Sequence, residues 1–152
     1  MPLSKSELEA FLDKPHMAHL ATSSRRGKPR VTPIWFIYEK GLFYFTTRLG
    51  RLKGQQILRN RAVSLSVATE QHPYVAVCAF GKAEIVKADR DKWMERLATR
   101  YKEPDVKAYL ARSTPQPDRV VIALRPDRVL SWHYGRGDSK RQEEGESMAT
   151  ET

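Results

Sequence analysis

The stretch LFYFTTRLGRLKGQQILRN, Leu42 to Asn60, decides the fold. Leu42, Phe43, Tyr44 and Phe45 are residue types that suit a pleated, half-buried surface, which predicts a strand lying on a core. Just past it, Thr46, Thr47, Arg48, Arg51 and Lys53 bring hydroxyls and cations together, and Gly50 lets the backbone bend at no steric cost. A helix opening near Leu52 or Lys53 adds unpaired N–H groups and a positive dipole end, so the turn is equipped for a phosphate. The same cluster also reads as a solvated basic loop on a protein that is basic throughout.

Working outward, the chain reads as hairpin-spaced strands with helices at the edges. Ser4 and Glu7 have capping-box spacing ahead of a short helix with Leu8, Phe11 and Leu12 at helical spacing, ended by Pro15. His16 to Ser23 alternates as a strand, with Ala18, Leu20 and Thr22 on one side, and Ser24 to Gly27 closes it. Val31 to Tyr38 is apolar on both faces and reads as one strand, which needs a barrel, a partner subunit or a bound ring to cover it. Pro33 lacks an N–H and places this strand at an edge or a bulge.

Beyond the basic turn, Gln55 to Asn60 carries the short helix, with Ile57 and Leu58 turned inward. Val63, Leu65 and Val67 alternate against serines, and Tyr74 to Lys87 forms a long strand in which Gly81 predicts a bulge. Asp89 caps a helix carrying Trp93, Met94, Leu97 and Tyr101, and a second runs from Pro104 to Leu110. Arg119 to Leu124 and Arg128 to Trp132 read as two last strands broken by Arg-Pro-Asp. This pattern predicts a closed antiparallel barrel of the mainly β, α+β class, in one domain over residues 1–134. From Gly135 the composition turns to Gly, Ser, Glu and Arg, which predicts a disordered tail over 135–152.

The 152 residues, 40% hydrophobic, suffice for one core and are too few for two comfortable domains. Lys and Arg total 27 against 18 acids, a net charge of +9, so the surface should attract anions: nucleic acid, acidic lipid or a phosphorylated small molecule. Cys78 is the only cysteine, which excludes an internal disulfide and a CxxC zinc site, and reads as a small buried hydrophobe. His16, His19 and His72 show no metal-ligand spacing, and no GxSxG, P-loop or paired-carboxylate motif is present. The N-terminus lacks the apolar core of a signal peptide and no run is long enough for a membrane span, so the expected location is cytoplasmic.

Three runs carry a family resemblance: HLATSSRRGKPRVTPIWFIYEKGLFYFTTR from His19, GRLKGQQILRNRAVSLSV from Gly50 and FGKAEIV from Phe80. They resemble the FMN-binding split-barrel superfamily related to pyridoxamine 5'-phosphate oxidase, and more closely its flavin/deazaflavin branch, which includes coenzyme F420-dependent reductases. The resemblance implies a split β-barrel that pairs as a homodimer, with cofactor sites at the interface. It implies that Lys53, with Arg51 and Arg48, holds the cofactor phosphate. The strand Val31, Thr32, Pro33 and Ile34 would run beside the ring, with Thr46 and Thr47 as second contacts; their other reading is ordinary strand.

Trp35 and Trp132 read as core aromatics, yet by resemblance Trp132 stands where a C-terminal strand crosses to the partner's ring, with His133 and Tyr134 beside it as candidate proton donors. The expected function is an oxidoreductase transferring a hydride to a small organic substrate, using coenzyme F420 ahead of FMN; the PIWF and VLSW segments and the surplus positive charge suit the deazaflavin branch. The alternatives are an FMN oxidase or flavin reductase, a member that binds haem or stores a cofactor, and a non-catalytic basic barrel that stacks nucleic acid on Tyr44 and Tyr74. The loops Thr69 to Pro73 and Ser113 to Asp118 would select the substrate.

Overall fold

The computed structural model describes residues 2–135; the expected tail lies outside the described residues from position 136 onward. Helix α1 (Lys5–Leu12) leads into β1 (Ala18–Ser23), β2 (Pro29–Ile34), β3 (Ile37–Glu39) and β4 (Leu42–Arg48). After α2 (Leu52–Arg59) come β5 (Ala62–Ala68) and β6 (Val75–Val86), then α3 (Arg90–Arg100), α4 (Val106–Ser113) and β7 (Arg119–His133). The strands form one antiparallel sheet in the order β2-β1-β5-β6-β7-β4-β3, a half-barrel with four short helices at its margins. Among the described residues no helix is long and apolar enough to cross a membrane.

Strict alternation builds the core. Phe43, Phe45 and Thr47 of β4 point inward while Tyr44, Thr46 and Arg48 point out. Val63, Leu65 and Val67 of β5 and Ala18, Leu20 and Thr22 of β1 do the same, meeting Leu12 of α1 and Ile57 of α2 in one cluster. Ser4 Oγ accepts from the Glu7 N–H and Asp89 from the Lys92 N–H, so both expected caps are in place. As Pro33 required, β2 lies at an edge of the sheet.

Six readings are corrected. The run Val31 to Tyr38 is two strands, because at Trp35 and Phe36 the chain leaves the ladder; there the Phe36 N–H donates to Tyr101 Oη (3.1 Å), which in turn donates to the His16 carbonyl (2.7 Å). Leu58 is 44% exposed while Ile57 is fully buried, since adjacent helical positions point about 100° apart. The last two expected strands are one, β7, which crosses Arg-Pro-Asp through a bulge: Phe80 faces Arg128 and Gly81 faces Pro126, leaving Asp127 unpaired in the register. Cys78 is only half-buried. The helix expected over Pro104 to Leu110 starts and ends later, behind an Asp105 cap, and Tyr44, offered as a free stacking platform, is stacked on Trp93 at 4.4 Å.

Gly81 makes that bulge possible. A Cβ there would overlap the Arg125 carbonyl oxygen and lie 2.9 Å from Pro126 Cα, both backbone atoms of the paired strand. Gly81→Ala should therefore destabilise the fold by about 1–3 kcal/mol, seen as a lower urea midpoint at unchanged slope.

Candidate functional site

The pairing of β4 with β7 sets Arg119 directly opposite Arg48, and Val121 opposite Thr46. Two guanidiniums side by side repel, and Asp118 relieves the contact by taking one of them: Arg48 Nε donates to Asp118 Oδ1 at 3.1 Å. The same aspartate pins the turn that follows. Its carbonyl accepts from the Leu49 N–H (2.9 Å) and its Oδ2 from the Gly50 N–H (3.1 Å). Desolvation would raise the Asp118 carboxyl, but the bonds from Arg48 and Gly50 and the Arg48 charge outweigh it and hold it below its ordinary value.

With the turn fixed, α2 starts at Leu52 behind Arg51, which is exposed and makes no side-chain cap. Gly54 lets this first turn press onto the strand end, since a Cβ there would overlap the Arg48 carbonyl and lie 2.7 Å from Leu49 Cα. Lys53 is thereby turned into a cleft of about 380 Å³. Its polar members are Thr46, Lys53 and Arg119, and its apolar wall is Met17, Pro33, Ile34, Trp35, Leu97 and Tyr109. Trp35 is held in that wall by Tyr101, stacked at 5.1 Å and nearly parallel, and by Tyr109 at 5.8 Å.

The cleft's cations lack a counterion. Arg119 is oriented by its own bonds, Nε to Gln116 Oε1 (2.8 Å) and Nη1 to Thr46 Oγ1 (3.2 Å), with no carboxylate at salt-bridge distance from it or from Lys53 among the described residues. Burial pulls the Lys53 ammonium below its ordinary 10.5, and the nearby Arg119 charge acts in the same direction. Arg119 is lowered too, chiefly by burial. An anion placed between them would reverse both shifts, so the site fits a phosphate or carboxylate beside an apolar, partly aromatic surface.

The residues singled out in the sequence divide. Pro33, Ile34, Thr46 and Lys53 meet in the cleft. Thr47 is 3% exposed on the inner face of β4, because the pleat sends neighbours to opposite sides. Thr32 also lies in the ladder on the inner side, opposite Leu20, with its hydroxyl buried and without a partner among the described residues. Val31 is 63% exposed on the edge strand. Arg48 is engaged by Asp118, and Trp132 stands at the far end of β7 from Arg119, opposite Ala76. Arg119, Tyr109 and Asp118 were not singled out as site residues; the β4–β7 register reveals Arg119 and Asp118, the packing of Tyr109 of α4 against Trp35 reveals the third, and no local motif encodes either.

Lys53→Met should leave the apoprotein folded and at least as stable at neutral pH. A lysine whose folded pKa lies below its unfolded value costs stability in full below the folded pKa, and the cost fades as pH rises towards 10.5. The melting-temperature gain should accordingly shrink on the alkaline side; a large loss at neutral pH would mean that Lys53 is a structural cation.

Comparison with known proteins bears on the family and the fold. The family description "Pyridoxamine 5'-phosphate oxidase" matches residues 4–133. A solved F420 reductase is similar at 31% identity over 80% of this chain and 94% of its own, with a TM-score of 0.63. A conserved hypothetical protein from Mycobacterium tuberculosis (22% identity, 87% and 86% coverage, TM-score 0.70) and a FAD-binding protein from Mesorhizobium loti (16%, 86% and 95%, 0.65) share the fold. No curated protein matches. With the half-barrel, the basic turn and a family match that spans almost all described residues, the chain belongs to the pyridoxamine 5'-phosphate oxidase family, whose fold is that of flavin-binding oxidoreductases.

Proposed function

We propose that this protein is an oxidoreductase that uses a flavin or deazaflavin, coenzyme F420 ahead of FMN, to transfer a hydride to a small organic substrate. The observation that carries the reading is the uncompensated pair Lys53 and Arg119, joined by Thr46 and set beside an apolar wall. Lys53 and Arg119 would hold the phosphate, and Thr46 would add a hydroxyl. Arg48 orients the turn through Asp118. Arg51, exposed at the start of α2, is free to meet the rest of an anionic coenzyme. The edge strand β2, Val31 to Ile34, offers unpaired backbone groups to the polar edge of a ring. When bound, the cofactor supplies the two-electron chemistry; the protein supplies binding, orientation and electrostatics. The preference for F420 rests on the likeness to the F420 reductase and on the net charge of +9.

The same reading includes a homodimer. The outer face of the sheet carries Ala21, Ser64, Ser66 and Cys78 between the exposed Val31 and Phe80, and Trp132 shares that face with Leu130. Small side chains flanked by apolar ones suit a second copy. Trp132 is separated from Arg119 by roughly 40 Å along β7, so it would reach a cleft only from such a copy.

Titration of the apoprotein with FMN and with F420 at one salt concentration tests the cofactor: selective F420 binding is expected, and tight FMN binding with no response to F420 would make the protein an FMN enzyme. Lys53→Ala should weaken either by about 10–100-fold, the worth of a charge-assisted hydrogen bond. Unchanged affinity would overturn this placement of the phosphate. Phe80→Glu should convert the dimer to monomers in sedimentation; a wild-type protein that sediments as a monomer overturns the dimer.

A further inference from the structure

Arg48 and Arg119 stand opposite each other at the ends of β4 and β7, and the loop of residues 114–118 between α4 and β7 grips both. Each is held at its Nε by a side-chain oxygen of that loop: Arg48 by Asp118 Oδ1 at 3.1 Å, Arg119 by Gln116 Oε1 at 2.8 Å. An arginine has no acceptor, so the oxygen of the Gln116 amide, and not its nitrogen, must face it. The two grips differ in charge. The carboxylate neutralises Arg48, which does not line the cleft; the amide holds Arg119, which does, and leaves its charge in place.

The amide is carried on a stiff support. Pro115 and Pro117 flank Gln116 and fix φ on either side, and a residue before proline is biased to extended backbone. Arg90, at the start of α3, spans the loop: its Nη1 donates to the Gln116 carbonyl and its Nη2 to the Thr114 carbonyl, both at 2.7 Å. The Gln116 carbonyl also accepts from the Arg119 N–H at 3.1 Å, so main chain and side chain of one residue hold one arginine. With Thr46 Oγ1 taking Nη1, the guanidinium is fixed at two of its three nitrogens by uncharged oxygens, and Nη2 has no partner among the described residues.

We propose that Gln116 is a positioning residue for the cofactor phosphate: it fixes the Arg119 guanidinium at the cleft and, being uncharged, leaves that charge to the ligand. This inference rests on the reading that Lys53 and Arg119 hold a phosphate. Gln116 does not line the cleft, so it acts through Arg119. A carboxylate in its place would stand at ion-pair distance from Arg119, as Asp118 does from Arg48, and would compete with the phosphate for the guanidinium. Selection of a phosphate-bearing coenzyme over the same chromophore without phosphate thus depends on a neutral side chain outside the cleft.

The test is fluorescence titration of the full chain with two ligand pairs: FMN against riboflavin, and F420 against its chromophore without the phosphate-bearing chain. Gln116→Glu should weaken whichever phosphate-bearing ligand binds by about tenfold, leave its phosphate-free partner as it was, and not lower the melting temperature of the apoprotein. Gln116→Leu should weaken it less, and not at all once Arg119 is replaced by alanine. If Gln116→Leu does not fold, Gln116→Glu, of the same shape as the native amide, carries the test. Equal losses for both members of a pair, a Gln116→Leu loss that persists beside Arg119→Ala, or wild-type affinity in Gln116→Glu overturns this inference alone, provided Lys53→Ala still weakens binding. If neither Lys53→Ala nor Arg119→Ala weakens the phosphate-bearing ligand, or neither cofactor binds, the placement of the phosphate falls and this inference with it.

Discussion

Strand β7 is hydrogen-bonded along both sides at its N-terminal end, to β4 and to β6, and the placement of everything in the cleft depends on that double pairing. Val121 faces Thr46 on one side and Val86 on the other, so the strand cannot slip by a residue without turning Ile122 and Leu124 out of the core. This register brings Asp118 and Arg119 to the end of β4. It is strong enough to hold two arginines in directly opposed positions, where like charges would by themselves weaken the pair.

Once the register is set, the electrostatics sort themselves by which cations find partners. Arg48 is taken by Asp118 and Arg96 by Glu39. Arg100 spans the end of α1, donating to the carbonyls of Leu12 (2.8 Å) and Lys14 (2.7 Å), and so anchors the segment that carries His16. These cations are used by the fold. Lys53 and Arg119 are both lowered, chiefly by burial, and stand without an ion-pair partner among the described residues beside an apolar wall, so an anion there would favour their charged forms. A positive surface would attract many anions; a desolvated pair with one hydroxyl and a fixed guanidinium selects by shape as well.

Period-two alternation in β1 and β5, the strand at β4, the caps at Ser4 and Asp89, the edge position of Pro33 and the bulge at Gly81 were legible in the sequence, because each follows from the shape of one residue or the spacing of a few. The basic turn before α2 was legible for the same reason. What the sequence could not separate was Thr46 from Thr47 or Ile57 from Leu58, since which neighbour faces a core depends on what lies across it. The continuity of β7 through Pro126 was hidden because only the partner strand reveals that a bulge absorbs the missing N–H. Arg119, Asp118 and Tyr109 became visible through contacts between residues far apart in the chain. Local chemistry is written in local sequence; the pairing of charges and the walls of a cavity are decided by register and packing, which exist only once the sheet has formed.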